Sequence, residues 1–254
     1  MDLGIQGRLA LVTGSTRGIG RAIAGALARE GARVAVCART ESDVVRTAGE
    51  LGDDASGLVC DLAVEGAGRE LVERVSSRMG VPDVVVANAG GGRSEPGPTP
   101  GESAWSSMFA LNFWSAVGVV EAALPGMTAR GSGSVVLIGS IAGMESIGAP
   151  MPYECAKAGV AAYASSLSRR VASGGVRVNC VAPGNVLFEG GRWEEIRRED
   201  PERVESMLER EVPMRRFGRV EEIADVVAFL ASDRASFVTG ASLAVDGGQT
   251  RGLS

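Results

Sequence analysis

Tyr153 and Lys157 place a phenol and an ammonium four residues apart. Four residues make one helical turn, so on a helix both side chains share one face, about 5–6 Å apart at Cβ. A neighbouring cation favours the phenolate and lowers the pKa of a tyrosine from about 10. Lys157 is also the only lysine among 26 basic residues, and the planar fork of arginine does not replace a compact ammonium. The spacing therefore predicts an acid–base pair; the alternative is a surface pair on an ordinary helix.

The composition excludes several other kinds of chemistry. The chain of 254 residues has no histidine, which removes the commonest general base, the commonest zinc ligand and every Ser-His or Cys-His nucleophile. No metal site is predicted. A net charge of −5 argues against nucleic acid and against a polybasic membrane-binding patch.

The location of the protein is predicted from its cysteines and its apolar stretches. Four scattered cysteines without a CxxC pattern favour reduced thiols and a cytoplasmic protein. No apolar stretch approaches 18 residues, and the N-terminus lacks a secretory pattern, so we expect neither a membrane span nor export. The four cysteines are Cys37, Cys60, Cys155 and Cys180.

Short apolar runs alternate with helical patterns along the whole chain. The runs are apolar throughout rather than at alternate positions, which is typical of a parallel sheet covered on both faces. Regular alternation of strand and helix predicts right-handed crossovers and one doubly wound domain, 1–254, with about seven strands. The predicted strands are residues 9–13, 34–37, 57–60, 84–87, 135–138, 176–181 and 242–245. The predicted helices are residues 19–30, 65–79, 102–129, 153–173 and 220–231.

Two stretches interrupt this alternation. Residues 90–101 form a glycine- and proline-rich loop after a strand, and residues 184–217 form a long charged insert. Ligands of doubly wound sheets bind beyond the carboxyl ends of the strands, where both stretches begin. We therefore predict that residues 184–217 form a helical lid over a substrate, because long loops in compact domains are usually functional. The alternative is a solvated surface excursion.

A glycine-rich turn joins the first predicted strand to the first predicted helix. Gly14 permits the sharp turn, Gly18 removes a side chain where a pyrophosphate approaches the backbone, and Gly20 lets the helix pack close to the sheet. Phosphates bind at such helix N-termini because free N–H groups and the helix dipole favour anions. The turn therefore predicts a dinucleotide site.

These motifs together resemble the short-chain dehydrogenase/reductase family over nearly the whole chain. The resemblance rests on Thr-Gly-x-x-x-Gly-x-Gly from Thr13, on Ser140 and on Tyr-x-x-x-Lys from Tyr153. It implies a Rossmann fold and a nicotinamide cofactor. The cofactor-binding positions that it implies are Gly14, Ser15, Arg17, Gly18, Ile19, Gly20, Arg39, Asp61, Leu62, Asn88, Ala89, Gly90, Tyr153, Lys157, Pro183, Gly184 and Val186.

The end of the second strand indicates which dinucleotide is used. Enzymes that prefer NAD usually carry an acidic residue there for the ribose hydroxyls, whereas this chain has Cys37-Ala38-Arg39-Thr40. Arg39 and Arg17 suit a 2′-phosphate, which the planar guanidinium binds well. We therefore predict NADP, with NAD less favoured; the alternative is two ordinary surface arginines.

The resemblance assigns roles to four catalytic residues, Asn112, Ser140, Tyr153 and Lys157. It implies that Tyr153 protonates a substrate carbonyl oxygen while that carbon receives a hydride, and that Ser140 donates a hydrogen bond to the same oxygen. Lys157 would bind the nicotinamide ribose and depress the pKa of Tyr153, and Asn112 would hold a water beside Lys157. One position departs from the family, because Phe188 stands where a threonine often contacts the carboxamide.

The branch that the chain most resembles is the 3-oxoacyl-(acyl carrier protein) reductases. It implies NADPH-dependent reduction of a ketone or an oxoacyl thioester, with an acyl carrier protein as a further candidate partner. It also implies a homotetramer built on the two long helices around the fifth strand, to which Met108, Val160, Tyr163 and Leu167 contribute unless they belong to the core. Two alternatives stay open: an NAD-linked secondary alcohol dehydrogenase, and a nucleotide-binding subunit without turnover.

Overall fold

Seven parallel strands form one sheet in the order β3-β2-β1-β4-β5-β6-β7 in the computed structural model, which describes residues 2–93 and 97–252. The predicted seven-stranded doubly wound sheet is confirmed. The strands are β1 Leu9–Thr13, β2 Arg33–Ala38, β3 Ala55–Val59, β4 Val84–Ala87, β5 Gly133–Ile138, β6 Val176–Pro183 and β7 Ser242–Val245.

Helices cover both faces of the sheet because successive residues of each strand point to opposite sides. On β1, Ala10 and Val12 join one core layer with α1 and α9, whereas Leu9 and Leu11 join the other with α3, α5 and α6. The helices are α1 Gly18–Arg29, α2 Glu41–Leu51, α3 Ala67–Met79, α4 Gly101–Phe109, α5 Ser115–Arg130, α6 Met151–Val171, α7 Arg192–Glu199, α8 Pro201–Glu211 and α9 Val220–Ala231.

The long helix predicted over residues 102–129 is interrupted in its middle. Residues Ala110–Trp114 form one π-helical turn between α4 and α5, and such turns occur frequently at functional sites. The continuous helical stretch Gly101–Arg130 is long and apolar enough to cross a membrane by length and composition, contrary to the sequence-based expectation. It packs against α3 and α6 and buries Val119, Val120 and Met127 in the core, so its apolar residues serve the fold.

The insert at 184–217 contains two short helices, α7 and α8. Its two ends are joined by a bridge between Val186 and Gly218, where the Leu187 N–H donates to the Gly218 carbonyl at 3.1 Å. Val204 is buried, and the Trp193 ring lies 5.5 Å from the Phe217 ring. The insert is therefore a packed helical excursion with a closed base.

The four residues that the resemblance suggested for a subunit interface lie in the core of the subunit or pack against it. Met108 and Val160 are buried, and Tyr163 and Leu167 are partly buried against the layer of α3, α5 and α6. Their apolar character is accounted for by packing within one chain.

Candidate active site

The predicted site residues converge where the strand order reverses. β1 lies between β2 and β4, so the chain crosses to opposite sides of β1 before and after this point. Crevices of this kind, outside the carboxyl ends of the strands, bind ligands in doubly wound sheets. Thr13 ends β1, Ala87 ends β4 and Ile138 ends β5 at this edge.

The turn after β1 depends on glycine at two positions for different reasons. Gly14 has a φ of +61°, a left-handed conformation that favours glycine. Gly20 has an ordinary conformation, but a Cβ there would lie 2.2 Å from the Gly14 carbonyl oxygen and 2.4 Å from Asn88 Nδ2. Helix α1 can therefore approach β1 and β4 only without that side chain.

The N-terminus of α1 suits a phosphate group. The helix has no side-chain cap and no acidic residue in its first turn, so its first N–H groups and its dipole are available to an anion. Arg17 is exposed at the N-cap position. The residues present therefore fit the pyrophosphate of a dinucleotide.

The space beside Gly18, which the sequence analysis expected to admit a pyrophosphate, is bordered by the ring of Phe188. Gly18 has a φ of +52°, and its missing Cβ would lie 2.6 Å from the ring of Phe188. The Phe188 ring thus occupies the space that a side chain at position 18 would fill. Close packing of the lid against the turn is an additional reason for glycine here.

Asn88 braces the turn from the neighbouring strand. Its side-chain amide donates to the carbonyls of Thr13 and Gly14 at 2.9 and 3.1 Å. The Thr13 hydroxyl in turn accepts from the backbone N–H groups of Asn88 and Ala89, both at 3.0 Å. These bonds hold the end of β4 against the turn, so the Asn88 amide positions the loop.

Three consecutive glycines, Gly90 to Gly92, run between the predicted catalytic side chains. A Cβ on Gly90 would lie 2.7 Å from Asn112 Oδ1 and 3.2 Å from Lys157 Nζ, and one on Gly92 would lie 3.6 Å from the Tyr153 ring. Gly91 and Gly92 were not among the predicted site residues, although the unbroken glycine run after a strand was a signal for them. The structure therefore brings Asn112, Tyr153 and Lys157 together around this run.

Asn112 lies in the π-helical turn and is fully buried. Its amide oxygen accepts from the Gly91 N–H at 3.0 Å, and its amide nitrogen donates to the Gly91 carbonyl at 3.0 Å and the Met108 carbonyl at 3.1 Å. The extra residue of the π turn turns this side chain toward the glycine run. Asn112 thereby fixes the backbone beside Lys157.

Ser140 and Tyr153 face each other across the site. Ser140 follows β5 and caps a short 3-10 turn, with its hydroxyl accepting from the Ala142 N–H at 3.1 Å. Burial raises the pKa of the Tyr153 phenol above its ordinary value, and the nearby Ser140 hydroxyl lowers it in part. The phenol is therefore protonated at neutral pH.

Lys157 is buried. The alternative interpretation of Tyr153 and Lys157, as a pair on the surface of an ordinary helix, is therefore not supported for the lysine. Its Nζ donates to the Ile138 carbonyl at 2.8 Å and lies 5.8 Å from the centroid of the Tyr153 ring. Burial lowers the pKa of this ammonium to about 8, while the Cys180 thiolate form acts in the opposite direction. The expectation that Lys157 depresses the pKa of Tyr153 does not hold in this structure, because burial penalises the charged forms of both groups.

The adenosine end of the predicted site is open. Arg39 and Asp61 are exposed, Leu62 is buried beside them, and the Asp61 carboxylate accepts from the Ala63 N–H at 3.1 Å. Among the described residues, neither Arg17 nor Arg39 forms an ion pair. Both guanidinium groups are therefore available to a ligand.

The opposite end of the site is formed by the segment after β6. The Gly184 N–H donates to the Val245 carbonyl at 3.0 Å, and a Cβ on Gly184 would lie 2.7 Å from the Asp246 Cβ. Pro183 and Val186 are buried on either side. An ion pair between Arg93 and Glu195 links the loop after β4 to helix α7 of the insert.

Comparison with known proteins agrees with this arrangement. The sheet order and the glycine turn define a dinucleotide-binding α/β protein. A family model described as enoyl-(acyl carrier protein) reductase matches residues 14–250. The chain belongs to the short-chain dehydrogenase/reductase family, whose members are NAD(P)-dependent oxidoreductases acting on CH–OH and C=O groups. The resemblance predicted from the sequence is confirmed.

Two relatives match almost the whole chain. The 3-oxoacyl-(acyl-carrier-protein) reductase of Escherichia coli is 35% identical over 246 residues, which is 97% of this chain and 98% of the relative. The enzyme of the same name from Pseudomonas aeruginosa is 37% identical over 249 residues, with the same coverage of 97% and 98%.

Two solved structures share the fold at high similarity. L-Sorbose reductase from Gluconobacter frateurii, complexed with NADPH and L-sorbose, has a TM-score of 0.93 at 31% identity and 100% coverage of both chains. A 3-oxoacyl (acyl-carrier-protein) reductase from Agrobacterium tumefaciens with NADP bound has a TM-score of 0.91 at 34% identity, covering 97% of this chain and 96% of that one. The roles of individual site residues in this chain remain predictions.

Replacing Gly20 by alanine tests the close approach of α1. We expect Gly20→Ala to distort the turn, because its Cβ would lie 2.2 Å from a backbone oxygen, and to abolish dinucleotide binding measured by fluorescence titration. Gly25→Ala in the same helix is the matched control, since its Cβ would come no closer than 3.4 Å to the end of the Arg29 side chain. It should bind normally and gain about 0.5–1 kcal/mol of stability. Normal binding by Gly20→Ala would contradict this account of the turn.

Burial of Lys157 predicts a pH dependence of stability. The pKa of this group is about 8 in the folded chain and 10.5 ordinarily, so the folded state binds fewer protons between these values. The cost of burying the cation is fully present below pH 8 and is relieved as the pH rises toward 10.5. Relative to Lys157→Met, the free energy of unfolding should therefore rise by about 1–3 kcal/mol over this interval in urea titrations. Parallel curves for the two proteins would contradict the burial of a charged lysine.

Proposed function

We propose that this protein reduces a ketone or 3-oxoacyl group to the alcohol with NADPH, in a reversible hydride transfer. The observation that carries the proposal is the convergence of Asn112, Tyr153 and Lys157 around Gly90–Gly92, beside the glycine turn, with Ser140 near Tyr153. A phenol, a hydroxyl and an ammonium then surround one small space at the carboxyl ends of β4 and β5.

The protonated phenol of Tyr153 is suited to act as the general acid. When bound, the dinucleotide supplies a hydride to the carbonyl carbon. Tyr153 donates its proton to the carbonyl oxygen as negative charge develops there. The Ser140 hydroxyl, which lies near the phenol, donates its proton in a hydrogen bond to the same oxygen and stabilises that charge.

Lys157 and Asn112 support this proton transfer. Lys157 is placed to bind ribose hydroxyl groups and to return a proton to Tyr153, since its pKa of about 8 lies near neutral pH. Asn112 holds the Gly91 backbone, and thereby the wall of the site beside Lys157. In the oxidative direction Tyr153 acts as base, so its raised pKa favours oxidation at alkaline pH.

The nucleotide is held by the turn after β1 and by the ends of β2, β3, β4 and β6. Backbone groups from Gly14 to Gly20 face the phosphates, and Asp61 and Leu62 border the adenine. Arg17 and Arg39 take the 2′-phosphate, because both are exposed and no acidic residue ends β2. Two structural relatives were solved with NADPH or NADP, which supports NADP over NAD.

The substrate lies under the insert at 184–217, which acts as a lid. The Arg93–Glu195 ion pair and the contact of Phe188 with Gly18 hold this lid near the reacting groups. A 3-oxoacyl thioester is the first candidate substrate, because the relatives at 35–37% identity are 3-oxoacyl-(acyl-carrier-protein) reductases. If the substrate is carrier-bound, an acyl carrier protein would dock on this face. A polar ketone is the second candidate, since L-sorbose reductase shares the fold over the full chain.

The assembly proposed with this activity is a cytoplasmic homotetramer that pairs α5 and α6 of neighbouring subunits. Trp114, the last residue of the π-helical turn before α5, exposes 60% of its surface and lies beside Phe113, which contacts Tyr163 of α6. This aromatic group offers an apolar surface between the two helices. Light scattering on the purified chain tests the subunit number directly.

The two tyrosines of the chain provide a matched test of the mechanism. NADPH absorbance measured across a panel of ketones and 3-oxoacyl thioesters should reveal a substrate for the unaltered protein. With it, Tyr153→Phe should lose about 10²–10⁴-fold in kcat while still binding NADPH, because only the transferable proton is removed. Tyr163→Phe should remain active, since its hydroxyl has no hydrogen-bond partner among the described residues. Equal activity of the two variants would refute the role of Tyr153.

Arginine substitutions test the choice of nucleotide. Arg39→Ala and Arg17→Ala should each weaken NADPH binding by about 1.5–3 kcal/mol, the usual contribution of a hydrogen bond to a charged group, and leave NADH binding unchanged. Arg46→Ala, which removes an exposed arginine paired with Asp43, is the control. Tighter binding of NADH than of NADPH by the unaltered protein would instead support the NAD-linked alcohol dehydrogenase.

A further inference from the structure

Two of the four cysteines are neighbours at the ends of adjacent strands. Cys37 lies in β2 opposite Leu58 of β3, and Cys60 is two residues further along, immediately after β3. Residues two apart on a strand point to the same side, and both cysteines pack in the core layer of α3, α5 and α6. The Cys60 N–H donates to the Ala38 carbonyl at 2.9 Å, which keeps this segment paired to β2.

The two thiols are neighbours but have different environments. The proximity of the Cys37 thiol and the positive charge of Arg74 lower the pKa of Cys60, and the Cys60 thiol donates to the Ala67 carbonyl at 3.6 Å. The neighbouring Cys60 thiol, together with burial, raises the pKa of Cys37. Cys60 is partly exposed, whereas Cys37 is buried. A partly exposed cysteine with a lowered pKa beside a second thiol is the arrangement found in redox-sensitive cysteine pairs.

The pair is connected to the nucleotide site on both sides. The Cys37 N–H donates to the Ser15 hydroxyl at 2.9 Å, and the Ser15 N–H donates to the Cys37 carbonyl at 3.1 Å. On the other side, Cys60 directly precedes Asp61 and Leu62. A change in the spacing of the two sulfurs therefore moves both the glycine turn and the adenine-binding segment.

We propose that Cys60 and Cys37 form a peroxide-sensitive thiol pair whose oxidation to a disulfide weakens dinucleotide binding. The Cys60 thiolate attacks one oxygen of hydrogen peroxide; the O–O bond breaks, and the leaving hydroxide takes a proton and departs as water. Cys60 is left as a sulfenic acid. The Cys37 sulfur then attacks the Cys60 sulfur, the S–S bond forms, the S–O bond breaks, and a second water leaves with the Cys37 proton. The two thiols supply two electrons to the peroxide.

The disulfide cannot form without local movement. Residues offset by two positions on neighbouring strands have Cα atoms about 8 Å apart in a regular sheet, whereas a disulfide requires about 4.4–6.8 Å. Because β2 and β3 are already paired, closure of the bond draws Cys60 and Cys37 together along the strand direction and displaces the neighbouring Asp61 and Ser15. The effect on binding rests on the proposed nucleotide site; the formation of the disulfide does not.

The test treats the full chain with hydrogen peroxide and maps disulfides by mass spectrometry of non-reduced peptides. A Cys155→Ser background removes the exposed thiol. A Cys37–Cys60 disulfide is expected, with formation slowed by bound NADPH and a rise of about 10- to 100-fold in the Kd for NADPH that dithiothreitol reverses. Cys60→Ser in the same background should bind NADPH normally and resist peroxide.

Two results would overturn the proposal. One is a peroxide-treated chain in which Cys37 remains a free thiol. The other is a loss of NADPH affinity on peroxide treatment that is as large in Cys60→Ser as in the protein that keeps both cysteines. Cys37→Ser is not needed for the test. If that variant does not fold, the comparison with Cys60→Ser is still sufficient to test the proposal. Because the disulfide is mapped without nucleotide or substrate, its absence is distinguishable from a failure of the proposed reductase activity.

Discussion

The close approach of backbone to backbone at the ends of β1 and β4 is the constraint on which the site depends. Helix α1 can start where it does only because Gly20 leaves room for the Gly14 carbonyl and the Asn88 amide. That amide then ties the end of β4 to the turn. The glycine run that follows β4 thereby begins at a defined place, and it reaches Asn112 and Lys157 with no side chain between them. One packing condition thus sets both the shape of the glycine turn and the position of the predicted catalytic groups.

Burial determines the electrostatics of these groups more strongly than their mutual spacing. Four residues on a helix do bring Tyr153 and Lys157 together, but the Lys157 ammonium is directed to the Ile138 carbonyl at 2.8 Å. Removal from water raises the pKa of the phenol and lowers that of the ammonium. The pair therefore consists of a protonated acid next to a base that is charged only below about pH 8. This state suits proton donation to a developing alkoxide, which is the reductive direction.

Elements with a single strong signal were predictable from sequence. The strands β1, β4 and β7 and the helix α9 have the predicted bounds, because uninterrupted apolar runs and a regular apolar face leave little choice of register. Helix α2 was not predicted, since it buries only Val44 and Thr47. The π turn was not predicted either: a single inserted residue does not alter the apolar period that marks a long helix. What it changes is the direction of Asn112, which depends on tertiary contacts with Gly91.

The residue types of the site were also predictable, but not all of their contacts. Asn88 was predicted to contact the nucleotide, which stays a prediction; that its amide also holds the loop was not predicted, because this depends on local carbonyls within hydrogen-bond distance. The sign of the Tyr153 pKa shift depends on how much water the fold excludes, which no spacing of residues records. Sequence thus indicates which groups meet, whereas their protonation follows from the packing around them.

The contact between Phe188 and Gly18 connects the insert at 184–217 to the glycine turn after β1. The family often has a threonine at the lid position, and an aromatic ring has no hydroxyl to offer a carboxamide. The ring instead fills the space beside a residue with a φ of +52°, and it also packs against the core layer of α1 and α9. Displacing the ring exposes apolar surface and leaves a gap beside the turn, so this end of the insert and the turn form one packed unit. The departure from the family pattern therefore exchanges a polar contact with a ligand for an apolar contact within the chain.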